Sequence, residues 1–278
     1  MSAIHASLLA GILLTQTAGG AAGDPVSADG APPSALTEFL SDAKTYVVTI
    51  GSGKAKPLAL SPQPLLHWAN PARNGEDGAV YVWLKEGRPE AIGSVFEYPS
   101  RGLVIRKHAF HSLSEEAIKA EFGTKLVWSP KAAGVTFQPV ADAPPPADSA
   151  RRRLSQMREL ARQFSVELVD LRESKSELRL MTQPLIRYEP TTGPTQDGAI
   201  FAFAIGTDPE ALLLLESRKA GDATRWEFAF ARFHFVTLTA KHNGKQVWQV
   251  EPDPDMMRTV FGNDAQREKI YYSVVKPQ

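Results

Sequence analysis

The residues whose types could carry chemistry fall into four groups. His108 and His111 stand three apart, a spacing that on a helix puts two imidazoles on one side and offers a divalent metal two ligands. Asp77 and Glu90 are matched 120 residues later by Asp197 and Glu210. Paired carboxylates about 5–10 Å apart in a cleft perform general acid-base or glycosidic chemistry. Trp68, Trp83, Phe110 and Trp128, with Tyr188, Phe203, Phe230 and Trp248 at the same offset, could line an aromatic groove for a flat ligand. Arg151, Arg152 and Arg153 form a short basic run able to meet an anionic surface.

Each group also has a plainer structural reading. On a strand, odd spacing throws His108 and His111 onto opposite faces, and the positions 120 residues on hold Phe228 and Ala231. Asp77-Gly78, Asp197-Gly198, Pro89-Glu90 and Pro209-Glu210 are turn chemistry, in which the acid fixes backbone shape. Aromatics on strands belong to the core, with Trp68 and Tyr188, next to loops, as the exceptions. The arginine run reads as solvated, oddly placed because cations at a helix N-terminus oppose the macrodipole. No P-loop, dinucleotide fingerprint, HExxH, GxSxG or EF-hand loop is present. We therefore assign no catalytic residue, no metal ligand and no cofactor, and keep Trp68, Tyr188, His67 and His111 as binding candidates.

Composition narrows the partners. The chain has 278 residues with 31 Lys and Arg against 31 Asp and Glu, so it projects no overall positive field for nucleic acid or anionic lipid. It has no cysteine, which removes disulfides, thiolate zinc sites, iron-sulfur clusters on cysteine and cysteine nucleophiles. At 43% hydrophobic residues there is ample material for packed cores.

The elements that must position these residues repeat. Leu58–Ile92 aligns without a gap on Leu178–Leu212, with 11 identities in 35 positions. The offset returns at Ala109/Ala229, Phe110/Phe230, Ala120/Ala240, Lys125/Lys245, Val127/Val247 and Trp128/Trp248, which makes 17 identities over positions 58–128. Chance at average composition gives roughly 4. Leu36, Phe39, Leu40, Ala43 and Tyr46, and again Leu154, Met157, Leu160, Ala161 and Phe164, recur at helical spacing after a capping Ser34 or Ser149. Val47–Ile50, Val166–Leu171, Leu58–Trp68 and Leu178–Tyr188 read as strands. Ala79–Leu84 and Ala199–Ile205 are apolar at every position, the mark of strands buried on both faces. Ser114–Gly123 looks helical alone, but its counterpart contains β-rich FVTLTAKH before Asn243-Gly244, a hairpin signal, so a strand is expected over most of it. A short helix after Asp253-Pro254 and a last strand Ile270–Val275 close the chain.

The expected fold class is α+β: two tandem copies of a helix plus antiparallel β-meander unit, packed into one pseudo-symmetric body. A helix covers one face of a sheet, so the doubly apolar strands need a second cover, for which the other unit's sheet is the candidate. Residues 7–14 are a short apolar run followed by small residues, the layout of a secretory signal peptide, although no Lys or Arg precedes Ser7. The expected organisation is a signal peptide over 1–23, a flexible leader over 24–33, a first unit over 34–140, a Pro-rich linker over 141–149 and a second unit over 150–278. No run after the signal approaches 18 apolar residues, so no transmembrane segment is expected in the mature chain.

Gln63-Pro-Leu-Leu-His-Trp-Ala-Asn-Pro, Gly87-Arg-Pro-Glu-Ala, Phe110-His-Ser-Leu, Trp128-x-Pro, Arg153-Leu-x-Gln-Met-Arg-x-Leu-Ala-Arg-x-Phe and Gly206-Thr-Asp-Pro-Glu-Ala follow one another along the chain. With them the sequence resembles a family of predicted exported bacterial proteins of uncharacterised function, over nearly all of the mature chain. The resemblance implies no activity, cofactor or catalytic residue. The family's Glu-Phe-His-Ser-Leu form stands here as Ala109-Phe110-His111-Ser112-Leu113. The expected function is an exported, non-enzymatic binding or interaction module of the bacterial cell envelope, its partner an envelope protein or a small ligand. The alternative is a hydrolase of an envelope or extracellular polymer working through carboxylates or His between the units. Convergence of two or more of His67, Asp77, Glu90, His111, Asp197 and Glu210 in one pocket would favour the hydrolase.

Overall fold

The structure is a computed structural model that describes residues 33–51, 55–73, 75–253 and 267–277. The signal peptide and leader fall outside them, except for Pro33, where the first helix begins, and so does the short helix expected after Asp253-Pro254. The first half runs α1 (Pro33–Thr45), β1 (Tyr46–Ile50), β2 (Lys56–Pro57), β3 (Ala59–Leu60), β4 (Leu66–Asn70), β5 (Glu76–Lys85), β6 (Arg88–Ser100), β7 (Leu103–Ser112), β8 (Ile118–Phe122), β9 (Lys125–Trp128) and β10 (Gln138–Pro139). The second half runs α2 (Ala150–Ala161), β11 (Phe164–Val169), β12 (Lys175–Glu177), β13 (Arg179–Leu180), β14 (Ile186–Tyr188), β15 (Thr195–Ile205), β16 (Asp208–Ala220), β17 (Ala223–Arg232), β18 (Thr237–His242), β19 (Lys245–Val250) and β20 (Tyr271–Val275).

The fold class is not α+β. Strands make up 55% and helices 12%, and α1 and α2 are the two α-helices among the described residues. The error lay in the layer assigned to the helices. Each helix is one short piece beside a four-stranded antiparallel sheet, and sheet and helix together cover the outer face of a longer sheet.

The small sheets have the orders β2-β1-β8-β9 and β12-β11-β18-β19. The long sheets have the orders β20-β7-β6-β5-β3 and β10-β17-β16-β15-β13, with β4 and β14 joining β5 and β15. The strands that close the long sheets are exchanged. β10, from the first half, pairs with β17, and β20, from the end of the chain, pairs with β7. Trp128 Nε1 donates to the Lys269 carbonyl (2.8 Å), so the C-terminal segment is bonded into the first half.

Three cores follow from strand alternation. Outward residues of the first long sheet, including Tyr81, Trp83, Val95 and Phe110, meet Phe39 and Ala43 of α1 and Val48 and Ala120 of the small sheet. Phe201, Phe203, Leu213 and Phe230 meet Met157, Leu160, Val166 and Leu238 in the same way. Inward residues of both long sheets, among them Val80, Ile92, Ala109, Ile200, Leu212, Leu214 and Ala229, form the third core. Strands β5 and β15 are therefore buried on both faces, each long sheet serving as the other's inner cover.

Charge fixes each helix to its sheet. On α1, Asp42 meets Lys276 Nζ (2.6 Å), His108 Nε2 (3.2 Å) and Arg106 (3.4 Å); burial alone would raise its pKa, but His108 and Lys276 outweigh it and lower the value to about 2. The Tyr46 hydroxyl donates to His108 Nδ1 (2.6 Å), so His108 is spent on its outward neighbours. On α2, Arg153 is not solvated: its side chain is 7% exposed, and it donates to Asp197 (2.6 Å) and to the carbonyls of Ala147 and Asp148. Those acceptors explain a cation in the first turn of a helix, where the dipole alone disfavours it.

Candidate functional site

The two Asp-Gly pairs are inside β5 and β15, not in turns. Register puts Gly78 opposite Trp68 and Gly198 opposite Tyr188. A Cβ on Gly78 would lie 2.6 Å from the Trp68 ring, and one on Gly198 would lie 2.5 Å from the Tyr188 ring. Glycine is needed because an aromatic ring from the neighbouring strand lies flat on the backbone there. The preceding acid holds the residue beside that aromatic: Asp77 meets His67 Nε2 (2.9 Å), and Asp197 meets Arg187 (2.6 Å). Burial raises the Asp77 pKa against the opposing pull of His67.

Pro89-Glu90 and Pro209-Glu210 are also inside strands, with the turns falling at Glu86-Gly87 and Gly206-Thr207. Glu90 and Glu210 are buried. Each strand start docks on the opposite half, but with different partners, and the two ends of the inter-sheet layer diverge from there.

One end is filled. Glu216, fully buried, accepts from the Tyr188 hydroxyl (2.8 Å), Arg88 Nε (3.2 Å) and Thr195 Oγ1 (2.6 Å). Arg88 also meets Glu90 (3.1 Å), and Arg218 meets Glu115 (3.0 Å) and Glu227 (3.5 Å). Phe137 caps the network, with the Arg218 guanidinium 4.2 Å from its ring centre. Tyr188 is thereby consumed: burial first, then the Glu216 charge, push its phenol well above its ordinary pKa and keep it a donor.

The other end holds a cavity of about 500 Å³. At the positions 120 residues before Glu216, Arg218 and Glu227 stand Phe96, Tyr98 and Lys107. Ser273 pairs with Ala109, where Phe137, just before the Gln138 that pairs with Phe228, lies across from Ala229. A charged network and its aromatic cap are thus replaced by an aromatic wall, a lysine and a hydroxyl. Trp68 lines this cavity and donates from Nε1 to Ser94 Oγ (3.1 Å), 5.8 Å from Phe96, which is 6.4 Å from Tyr98. Tyr271, Phe233 and Phe235 supply further aromatic lining.

Below it is a buried polar cluster. Arg73 meets Asp208 (3.1 Å) and Glu210 (2.8 Å), and Asn70 Nδ2 donates to Asp208 (3.0 Å). Burial raises both acids, Asp208 to about 7 and Glu210 well above the carboxylate range, against the opposing charge of Arg73. His234 lines the cavity, accepts from the Val236 N–H at Nδ1 (3.4 Å), and is driven well below its usual pKa by burial, then by Arg73, Arg232 and Lys107. Lys107 is lowered by burial against the opposing charge of Glu76.

Of the binding candidates, Trp68 lines the cavity and Tyr188 sits in the filled end. His67 faces outward on Asp77. His111 lies on the inward face, bonded through Nδ1 to the Ser112 carbonyl (2.7 Å), beside a smaller cavity of about 170 Å³ with Arg232 and Trp248. Burial lowers its pKa to about 4. Among His67, Asp77, Glu90, His111, Asp197 and Glu210, only His67 and Asp77 bond to each other, and none lines the large cavity. Among the described residues no group of three or more His, Asp or Glu could hold a metal ion, and no helix is long and apolar enough to cross a membrane. Sequence reasoning missed Phe96, Lys107, Asp208 and Ser273. The signal was available in the positions where the two halves differ, Phe96 against Glu216, Lys107 against Glu227 and Asp208 against Arg88, rather than where they agree.

Comparison with protein-family models, with curated proteins and with solved structures gives no match for this chain.

Proposed function

We propose that this protein is an exported, non-enzymatic binding module of the bacterial cell envelope, built by internal duplication, whose ligand is a small molecule held in the cavity between the long sheets. One observation carries the reading. Matched positions at the two ends of the inter-sheet layer are filled by a bonded network around Glu216 at one end, and at the other leave about 500 Å³ walled by Trp68, Phe96 and Tyr98. That volume, with an aromatic wall on one side and charged and hydroxyl groups on the other, suits a drug-sized ligand with a polar end. Binding fits better than hydrolysis because, of the acids lining the cavity, Asp208 is tied to Arg73 and Asn70 and Asp170 to the N–H groups of Arg172 and Ser174, which leaves Glu76 without a second free carboxylate to work with.

The test is native mass spectrometry of the chain recovered from its own host's envelope fraction, beside an Ala109→Phe variant that fills the cavity. The expected result is a small-molecule mass on the wild type that the variant lacks. A bare wild type, or the same adduct on both proteins, would overturn the reading.

A further inference from the structure

The proposal above leaves the ligand's chemistry open, and the cavity floor narrows it. Ser94 and Ser273 both pair with Ala109, from β6 on one side of β7 and β20 on the other. The three therefore form one row across the sheet and point to the same face. Phe96 pairs with Lys107 two residues along, so the lysine leaves the same face about 7 Å further down β7. The small Ala109 side chain is the low point between two hydroxyls and an ammonium.

These donors are uncommitted. Ser94 Oγ accepts from Trp68 Nε1, which leaves its own proton to give. Among the described residues Ser273 Oγ and Lys107 Nζ make no hydrogen bond, and Lys107 has no ion pair, its nearest opposing charge being Glu76. Elsewhere the buried cations have bonded acceptors: Arg153 has Asp197, Arg88 has Glu216 and Glu90, and Arg232 has the carbonyls of His234, Val236 and Glu251. A half-buried ammonium with donors arrayed beside it and no acceptor is the arrangement an incoming anion completes. At the filled end the protein occupies the same place itself, with the Phe137 ring and the Glu227 carboxylate.

We propose, resting on the binding reading above, that this floor receives the carboxylate of a small organic acid with a flat apolar body. Its oxygens meet Lys107 Nζ and the hydroxyls of Ser94 and Ser273, and its ring lies against Trp68 and Phe96. Lys107, the cation of this floor, matches a monoanion. A phosphate monoester would bring a second negative charge into a cavity that Glu76, Asp170 and Asp208 already line.

The test is isothermal titration of the full chain with 1-naphthoate, 1-naphthamide and 1-naphthyl phosphate, repeated on Lys107→Met and Ser273→Ala. The naphthoate is expected to bind about 10- to 100-fold more tightly than the amide, the size of a lost charge-assisted contact, and more tightly than the phosphate. Lys107→Met should erase the preference by weakening the acid and leaving the amide unchanged. Ser273→Ala, the milder change, should weaken the acid several-fold. An amide that binds as well as the acid, a phosphate that binds better, or a Lys107→Met protein with the preference intact would overturn the carboxylate floor while sparing the cavity as a ligand site. Failure of all three compounds on wild-type protein would overturn both proposals.

Discussion

The two ends of the inter-sheet layer start from the same strand order and arrive at opposite solutions. At the filled end a buried carboxylate, Glu216, is met by a phenol, a guanidinium and a hydroxyl, and Phe137 seals it. At the cavity end the matched side chains are Phe96 and Ser273, and the carboxylates that line it, Glu76, Asp170 and Asp208, bond neither Lys107 nor the hydroxyls of Ser94 and Ser273. The difference teaches that one sheet pair can spend the same row of positions on stability or on an unoccupied volume. A buried charge must be matched at every lone pair, and a cavity needs only walls that stand without it.

The largest effect expected from breaking this comparison is on stability at the filled end. Glu216→Ala leaves Arg88, Tyr188 and Thr195 with no acceptor and should cost about 3–5 kcal/mol in denaturant unfolding. Phe96→Ala, at the matched position, removes a half-buried ring and should cost about 1 kcal/mol. Equal losses would mean that the two ends are not energetically distinct.

The acids sharpen the comparison through pH. Asp208 is raised in the fold to about 7, so between about 4 and about 7 the folded state binds more protons than the unfolded chain, and stability falls as pH rises. The slope is at most about 1.4 kcal/mol per pH unit for one proton. Asp42 acts oppositely: lowered to about 2, it contributes fully above about 4 and loses that contribution as pH falls towards 2. Thermal melts of wild type and Asp208→Asn across pH 4–8 should converge at the acid end and separate at the neutral end, with the variant the flatter. Parallel curves would contradict the placement of the raised acid.

Below the loss of Glu216 comes the pair Gly78→Ala and Gly198→Ala. Each should cost about 1–3 kcal/mol by forcing an aromatic ring off the backbone. The consequences should part: Gly198→Ala moves Tyr188 and loosens Glu216, while Gly78→Ala moves Trp68 and alters ligand affinity. The smallest effect is that of Lys107→Met, within about 0.5 kcal/mol in the free protein, because the ammonium it removes has no ion pair to lose.

Much of the strand content was legible because it is local. The unbroken apolar runs Ala79–Leu84 and Ala199–Ile205 announce strands buried on both faces, and the structure buries them. The strand β8 was legible only by comparison with its counterpart around Asn243-Gly244. What was misread is what depends on distant partners. Asp-Gly signals a turn in isolation, and only the Trp68 and Tyr188 rings explain why glycine is needed within a strand. Arg153 looks solvated until Asp197 arrives from 44 residues away. The exchange of β10 and β20 has no local signature, since two short strands choose edges set by the rest of the molecule. The cavity escaped notice because identities between the halves mark what both need to fold, and Phe96, Lys107 and Ser273 are differences.

The claim that the cavity end alone is a ligand site can be tested in one spectrum. The chain has five tryptophans, of which Trp68 lines the large cavity, while Trp83, Trp128 and Trp226 belong to the outer cores and Trp248 to the smaller cavity. Protein labelled with 5-fluorotryptophan should show one ¹⁹F resonance shifting on titration with 1-naphthoate, the one missing from a Trp68→Phe sample, with the other four unmoved. A titration in which no resonance moves, or in which Trp248 moves and Trp68 does not, would contradict the account.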